Sequence, residues 1–322
     1  MKKSNLLNRR SFIQNTALAS GALLVPFDIL SKNIFTSESP IKNNLEIHLF
    51  SKCLQFLDYN ETCIAAKEMG FNGLDLTVRP KGHVLPENVE KDLPKATEIM
   101  KKHGLTPKMI STSVVDATNA TNISVLKTAK KLGYQYYRTG WVKYNRNQSV
   151  QENIIKTKKQ FTALAKLNSN IGITGAYQNH AGYYVGSPIW DLEQLLTNFS
   201  PSNLGSQYDI THARVEGGKN WELGFELIQP HINSLAIKDF KWEKINGKWK
   251  VVYTPLGEGM IDFHYYFSLL KKYKINVPIS LHVEYDLGGA EKGKIPTMEK
   301  SEILKKIRKD LLFIQKIWAE ID

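Results

Sequence analysis

From residue 45 onward, short apolar runs bounded by turn residues alternate with longer stretches whose apolar positions recur at helical spacing. The runs at 46–52, 73–79, 108–114, 134–142, 173–180, 204–212, 234–240 and 278–285 read as buried strands. The stretches 60–69, 88–103, 120–132, 149–168, 189–199, 221–229, 263–273 and 299–319 read as helices, with Gly70, Gly104 and Gly133 placed as stop signals. Eight strand–helix pairs are the number that closes a (β/α)8 TIM barrel, here a single domain over 45–322. An open doubly wound sheet competes, but no glycine-rich phosphate fingerprint follows the first strand. Residues 241–256 break the alternation and read as an inserted hairpin turning at Asn246-Gly247.

The pattern before residue 45 differs. Arg9-Arg10, followed by Phe12-Ile13 and an apolar run from Ala17 to Phe27, matches a twin-arginine export signal. The run is too short for a comfortable membrane span. Residues 1–36 are therefore expected to direct export to the periplasm, and 37–44 to be a linker, leaving no stable membrane insertion after processing. Composition changes this picture little. The chain has 322 residues and a formal charge of +12; the first 36 hold five cations against one acid, so +8 remains without them. The remaining lysines fall mostly on helical stretches, with no arginine-rich arm, which argues against nucleic acid as a partner. Two cysteines, Cys53 and Cys63, make neither a disulfide framework nor a zinc cluster.

Chemistry in a (β/α)8 barrel gathers at the C-terminal ends of the strands. Here those ends carry Arg138 and Trp141, Gln178-Asn179-His180, Asp209 and His212, Lys238-Asp239, and His282 and Glu284. An apolar core has little reason to collect such groups at one rim, since each costs free energy to bury unpaired. Oxygen and imidazole ligands together suit one divalent metal ion, Mn, Mg, Co or Zn. The expected ligands are Gln178, Asp209, His212 and Glu284. Of the aromatic residues near the rim, Trp141, Tyr183 and Tyr184 are placed to stack on a sugar, Trp190 is expected to pack in its helix, and Trp242 and Trp249 flank the hairpin.

Taken in order, Gln178-Asn179-His180, Asp209-Ile-Thr-His212, Ile237-Lys238-Asp239, Gly257-Glu258-Gly259 and Glu284 resemble the motifs of the xylose-isomerase-like sugar isomerases and epimerases. The resemblance spans most of 45–320. It implies a metal-dependent isomerase or epimerase that moves a proton next to the carbonyl of a sugar or keto-sugar. Two positions depart from it. The strand-five Glu is Gln178, which cannot act as a base, and the strand-seven His falls near Ala236, which binds nothing. Glu284, Lys238 and His180 are then the candidate catalytic groups, and Arg138, Trp141, Asp239, Glu258 and His282 the candidate substrate-binding ones. Tyr177-Gln-Asn-His-Ala-Gly182 also looks like the corresponding stretch of dehydratases acting on keto-inositols, so a carbon–oxygen lyase or hydratase is the alternative. A non-catalytic periplasmic carbohydrate-binding barrel is the second. A small carbohydrate is the expected partner in each case, with an oligomer left open.

Overall fold

The computed structural model describes residues 45–321; the expected export signal and linker lie outside the described residues. The strands are β1 (Ile47–Phe50), β2 (Gly73–Val78), β3 (Met109–Thr112), β4 (Tyr136–Arg138), β5 (Thr174–Gln178), β6 (Leu204–Asp209), β7 (Ile232–Ile237), β8 (Asp239–Ile245), β9 (Lys248–Thr254) and β10 (Ile279–Leu281). Eight of them close into a parallel barrel in the order β1-β2-β3-β4-β5-β6-β7-β10. The antiparallel pair β8–β9 stands outside it. The helices are α1 (Tyr59–Met69), α2 (Val89–Lys102), α3 (Ala120–Leu132), α4 (Val150–Ile171), α5 (Ile189–Leu196), α6 (Ile210–Gly217), α7 (Trp221–Ile228), α8 (Phe263–Lys272) and α9 (Lys300–Glu320). Each barrel strand is buried along nearly its whole length, as strands covered by helices must be.

Local sequence explains the helix ends. Asp58 and Glu61 form a capping box at α1, as do Ser149 and Glu152 at α4. Gly70 and Gly172 end those helices at φ 99° and 78°, a region open to glycine. In the hairpin, Asn246 and Gly247 both take positive φ, the two-residue turn that matches strand twist.

Three expectations are corrected. The strand read at 134–142 shrinks to Tyr136–Arg138; Thr139 still donates its amide to Ala176 of β5, and Gly140 donates to Val114 beyond the end of β3. The strand read at 204–212 stops at Asp209, where α6 begins; the Asp209 side chain accepts from the His212 amide at 3.1 Å and caps that helix. His212 therefore stands in a helix's first turn, not on a strand. Trp190 does not pack inside its helix bundle but is 51% exposed.

Asp310 on α9 makes stability depend on pH. Burial pushes its carboxyl up to about 7, against the pull of the Leu256 amide that it accepts at 3.1 Å. The folded value lies above the unfolded one, so this contribution is fully present below about pH 4 and lost as pH rises to 7. Asp310→Asn should flatten that dependence and be the more stable protein at pH 8, by roughly 2–4 kcal/mol. Urea midpoints of both proteins at pH 5 and 8 check this; equal midpoints at pH 8 would count against it.

Candidate active site

Asp209 ends β6, His212 follows it in the first turn of α6, Lys238 follows β7 directly and Glu284 lies just beyond β10, so the C-terminal ends of three neighbouring barrel strands bring four ionisable groups together. The Lys238 Nζ lies 3.2 Å from Asp209 Oδ2, 3.0 Å from Glu284 Oε2 and 2.8 Å from His212 Nε2. An ammonium can only donate, so the His212 Nε2 is an acceptor and its hydrogen sits on Nδ1. Gln178 turns its amide nitrogen to Asp209 Oδ2 at 2.7 Å, and Asn179 exchanges two hydrogen bonds with the Asp209 backbone at 2.8 and 2.9 Å. Glu284 Oε1 accepts from Lys52 at 2.9 Å. Tyr253 of the hairpin places its ring 5.2 Å from Lys238 Nζ.

Charge follows from these contacts. Burial alone would push the Glu284 carboxyl up, but the charges of Lys238 and Lys52 more than offset it and hold it well below the usual range. Burial would strip the proton from Lys238, yet Asp209 and Glu284 raise it instead, so it stays an ammonium. Burial pushes the Asp209 carboxyl up, with Lys238 opposing. Burial, reinforced by Lys238, brings His180 down to about 4 and His212 well below its ordinary value; both are neutral imidazoles at pH 7.

His180 lies between ring neighbours, tilted against His212 at 4.2 Å and edge-on to Trp141 at 4.6 Å. Its Nδ1 faces the Ala181 carbonyl at 2.9 Å. A carbonyl only accepts, so Nδ1 carries the hydrogen and Nε2 keeps a free lone pair. Arg138 lies over Trp141 at 4.2 Å and donates Nε to Ser111 Oγ at 3.2 Å. Burial, then the nearby Arg79, lowers it to about 9. His282 stacks on Phe50 at 4.2 Å. Arg138 Nη1, Trp141 Nε1 and His282 Nε2 are buried without a hydrogen-bond partner.

Two residues expected at this rim are engaged elsewhere. The Asp239 carboxylate accepts from four backbone amides, those of Phe240, Gly257, Gly259 and Ile261, at 2.8–3.2 Å. It organises the Gly257-Glu258-Gly259 loop, and a Cβ at Gly259 would come within 2.2 Å of Asp239 Oδ1. Glu258 is exposed and pairs with Lys309 at 2.7 Å. Asp239→Ala should cost about 3–5 kcal/mol, since two buried and two part-buried N–H groups would lose this acceptor. Denaturant unfolding measures it, and a loss under 1 kcal/mol would show the loop holds without that carboxylate.

Lys52 and Tyr253 are the site neighbours that the sequence reading passed over. The available signal for Lys52 was its place just past a barrel strand, like that of Lys238. Tyr253 carried none, because only the fold of the hairpin brings it over Lys238. Among the described residues, no group of three or more His, Cys, Asp or Glu is arranged to hold a metal ion.

The chain matches the family described as xylose isomerase-like TIM barrel over residues 63–307. No curated protein sequence matches it. Similar solved structures include a 3-keto-D-glucoside 4-epimerase from E. coli, at 12% identity and TM-score 0.62, covering 84% of this chain and 99% of that one. A probable 3-DHS dehydratase from Bacillus anthracis matches at 15% identity and TM-score 0.61, covering 82% and 98%. A xylose isomerase-like TIM-barrel protein from Mycobacterium smegmatis, in complex with magnesium, matches at 12% and 0.59, covering 84% and 100%. The closed parallel barrel and the match over 63–307 together mean that this chain belongs to the xylose isomerase-like TIM-barrel family.

Proposed function

We propose that the protein catalyses proton transfer next to the carbonyl of a sugar or sugar-derived ketone, with His180 as the single base. The observation that carries this reading is the pairing of a neutral His180, its Nε2 free, with the buried ammonium of Lys238 in one cluster. His180 Nε2 takes the proton from the carbon beside the carbonyl. The electron pair left behind moves onto the carbonyl oxygen, and Lys238 donates a hydrogen bond to the charge that develops there. Protonated His180 then returns the proton on the same face. Returned to the former carbonyl carbon, while the hydroxyl on the deprotonated carbon passes its own proton to the oxyanion and becomes the new carbonyl, it completes an isomerisation. Returned to a hydroxyl on the next carbon, as the oxyanion pair re-forms the carbonyl, a carbon–carbon double bond forms and the carbon–oxygen bond breaks, it completes a loss of water. Glu284 is a poor base here, because two ammonium groups hold its charge; its part is to position Lys238 and Lys52. The unpaired Arg138 Nη1, Trp141 Nε1 and His282 Nε2 supply hydrogen bonds to sugar oxygens.

The expected ligands Gln178, Asp209, His212 and Glu284 do not fit a divalent ion as they stand, for the acceptor atoms of Asp209, His212 and Glu284 that face one another are already paired with protein donors. The steps above therefore run on the protein's own groups. The test is incubation with a panel of keto-sugars in deuterated water. Deuterium appearing beside the carbonyl supports the reading, and accompanying loss of water selects the lyase branch. Binding of a sugar with no exchange on any substrate would leave a carbohydrate-binding barrel and sink the proposal.

We further propose that residues 1–36 export this barrel to the periplasm, on the strength of the Arg9-Arg10 pair before an apolar run. Arg9→Lys with Arg10→Lys should strand the protein in the cytoplasm on cell fractionation. Unchanged periplasmic delivery would refute it.

A further inference from the structure

The family resemblance and the magnesium complex of a similar structure raise the question of where a metal would sit in this chain. We propose that the ammonium of Lys238 takes that place, and that the site works without a metal ion.

Four observations converge on it. The Lys238 Nζ lies within 2.8–3.2 Å of Asp209 Oδ2, Glu284 Oε2 and His212 Nε2, which are three of the expected ligand atoms. These are ordinary hydrogen-bond lengths, and the lone pairs they use are the ones a metal would need at about 2.0–2.2 Å. Gln178, the fourth expected ligand, presents a donor rather than an acceptor to Asp209. A carboxylate at position 178 would meet Asp209 with like charge and call for a cation to hold the two together; the amide closes that contact with a hydrogen bond of its own. On β7, Ala236 stands in register with Asp209 on one side and Ser280 on the other, and its methyl group has no lone pair to offer. Lys238 lies two residues further along, on the same face by strand alternation, so the strand that lacks a ligand supplies the cation.

The charge balance agrees. Two carboxylates, Asp209 and Glu284, are matched by two ammonium groups, Lys238 and Lys52, with Lys238 only 2% exposed. A divalent ion entering this set would sit against a buried like charge. A lysine can replace the metal's electrostatic role because both stabilise negative charge on a carbonyl oxygen, the ammonium by hydrogen bonding and the metal by coordination.

The role given to Lys238 in turnover rests on the proposed proton transfer, but the metal question has its own readout. Purified full-length protein is measured for metal content, then titrated with Mn²⁺ by calorimetry. Wild type should carry no stoichiometric metal and bind Mn²⁺ no better than weakly. EDTA should change neither its melting temperature nor, where exchange is detected, the exchange rate. The reciprocal variant Gln178→Glu/Ala236→His/Lys238→Ala should gain one Mn²⁺ site, at least 100-fold tighter than any in wild type. If that variant fails to fold, Lys238→Ala alone is titrated and should bind Mn²⁺ more tightly than wild type. One equivalent of metal in wild type, lost in Asp209→Asn, would overturn the proposal. Absence of exchange on every keto-sugar would instead remove the proposed function and leave the metal result standing.

Discussion

Replacing His180 with alanine is expected to slow proton exchange beside the substrate carbonyl by about 10²–10⁴-fold, the range that a positioned general base contributes. His180 is a neutral imidazole whose Nδ1 is tied to the Ala181 carbonyl and whose Nε2 is uncommitted. His282 also leaves Nε2 unpaired, but that atom is fully buried and its ring lies stacked on Phe50. His212 is neutral too, but its Nε2 is taken by Lys238. Asp209 has both oxygens engaged by donors, and Glu284 is held by two ammonium groups. The loss should fall on kcat, with KM little changed, because the ring acts on the proton rather than anchoring the sugar. The fold should survive, since the only side-chain hydrogen bond His180 makes is to its neighbour Ala181. Exchange in deuterated water, followed beside a thermal melt, reads both quantities. A variant that folds and exchanges at the wild-type rate would remove His180 from the mechanism.

Lys238→Met is the second large effect. The side chains are similar in length, so the substitution removes charge and hydrogen bonding more than volume. Losing one preorganised donor at a developing oxyanion costs about 10²–10³ in kcat. The same change leaves Asp209 and Glu284 buried near each other with Lys52 alone to offset them, and breaking a buried ion pair costs about 3–5 kcal/mol. Protonation of one carboxyl would recover part of that, so the stability loss should shrink toward low pH. A merely structural lysine would give the stability loss without the fall in kcat. Lys238→Arg should not rescue the rate, because a planar guanidinium cannot point one nitrogen at Asp209, Glu284 and His212 together. A Lys238→Met protein as fast as wild type would mean that the ammonium does not touch the reacting oxygen.

The barrel itself was legible in the sequence. Helices α1, α3, α7 and α9 lie within a residue or so of where apolar spacing, caps and stop glycines put them, because those signals act within one or two turns of chain. The hairpin was equally plain from Asn246-Gly247, since left-handed conformations at both turn positions favour those residues. The strand ends were less so. Apolar runs continue past the last ladder bond at 134–142 and 204–212, and hydrophobicity does not record where a strand leaves the sheet.

Sequence by itself also determined which chemical groups crowd one rim, as period-two alternation and strand order place Gln178, Asp209, Lys238, His282 and Glu284 there. It did not determine how they pair. Asp239 is adjacent to Lys238 in the chain, yet its carboxylate faces four backbone amides of a loop that closes around it, while Lys238 points to Asp209 and Glu284. Lys52 comes from the opposite end of the sequence to reach Glu284, because β1 and β10 are neighbours in the closed barrel. Hydrogen bonds and charge contacts act over about 3 Å in space, without regard to separation along the chain. Only the closed barrel brings Lys238 within that distance of three acceptors, and so turns a list of candidate metal ligands into a cluster already filled by an ammonium.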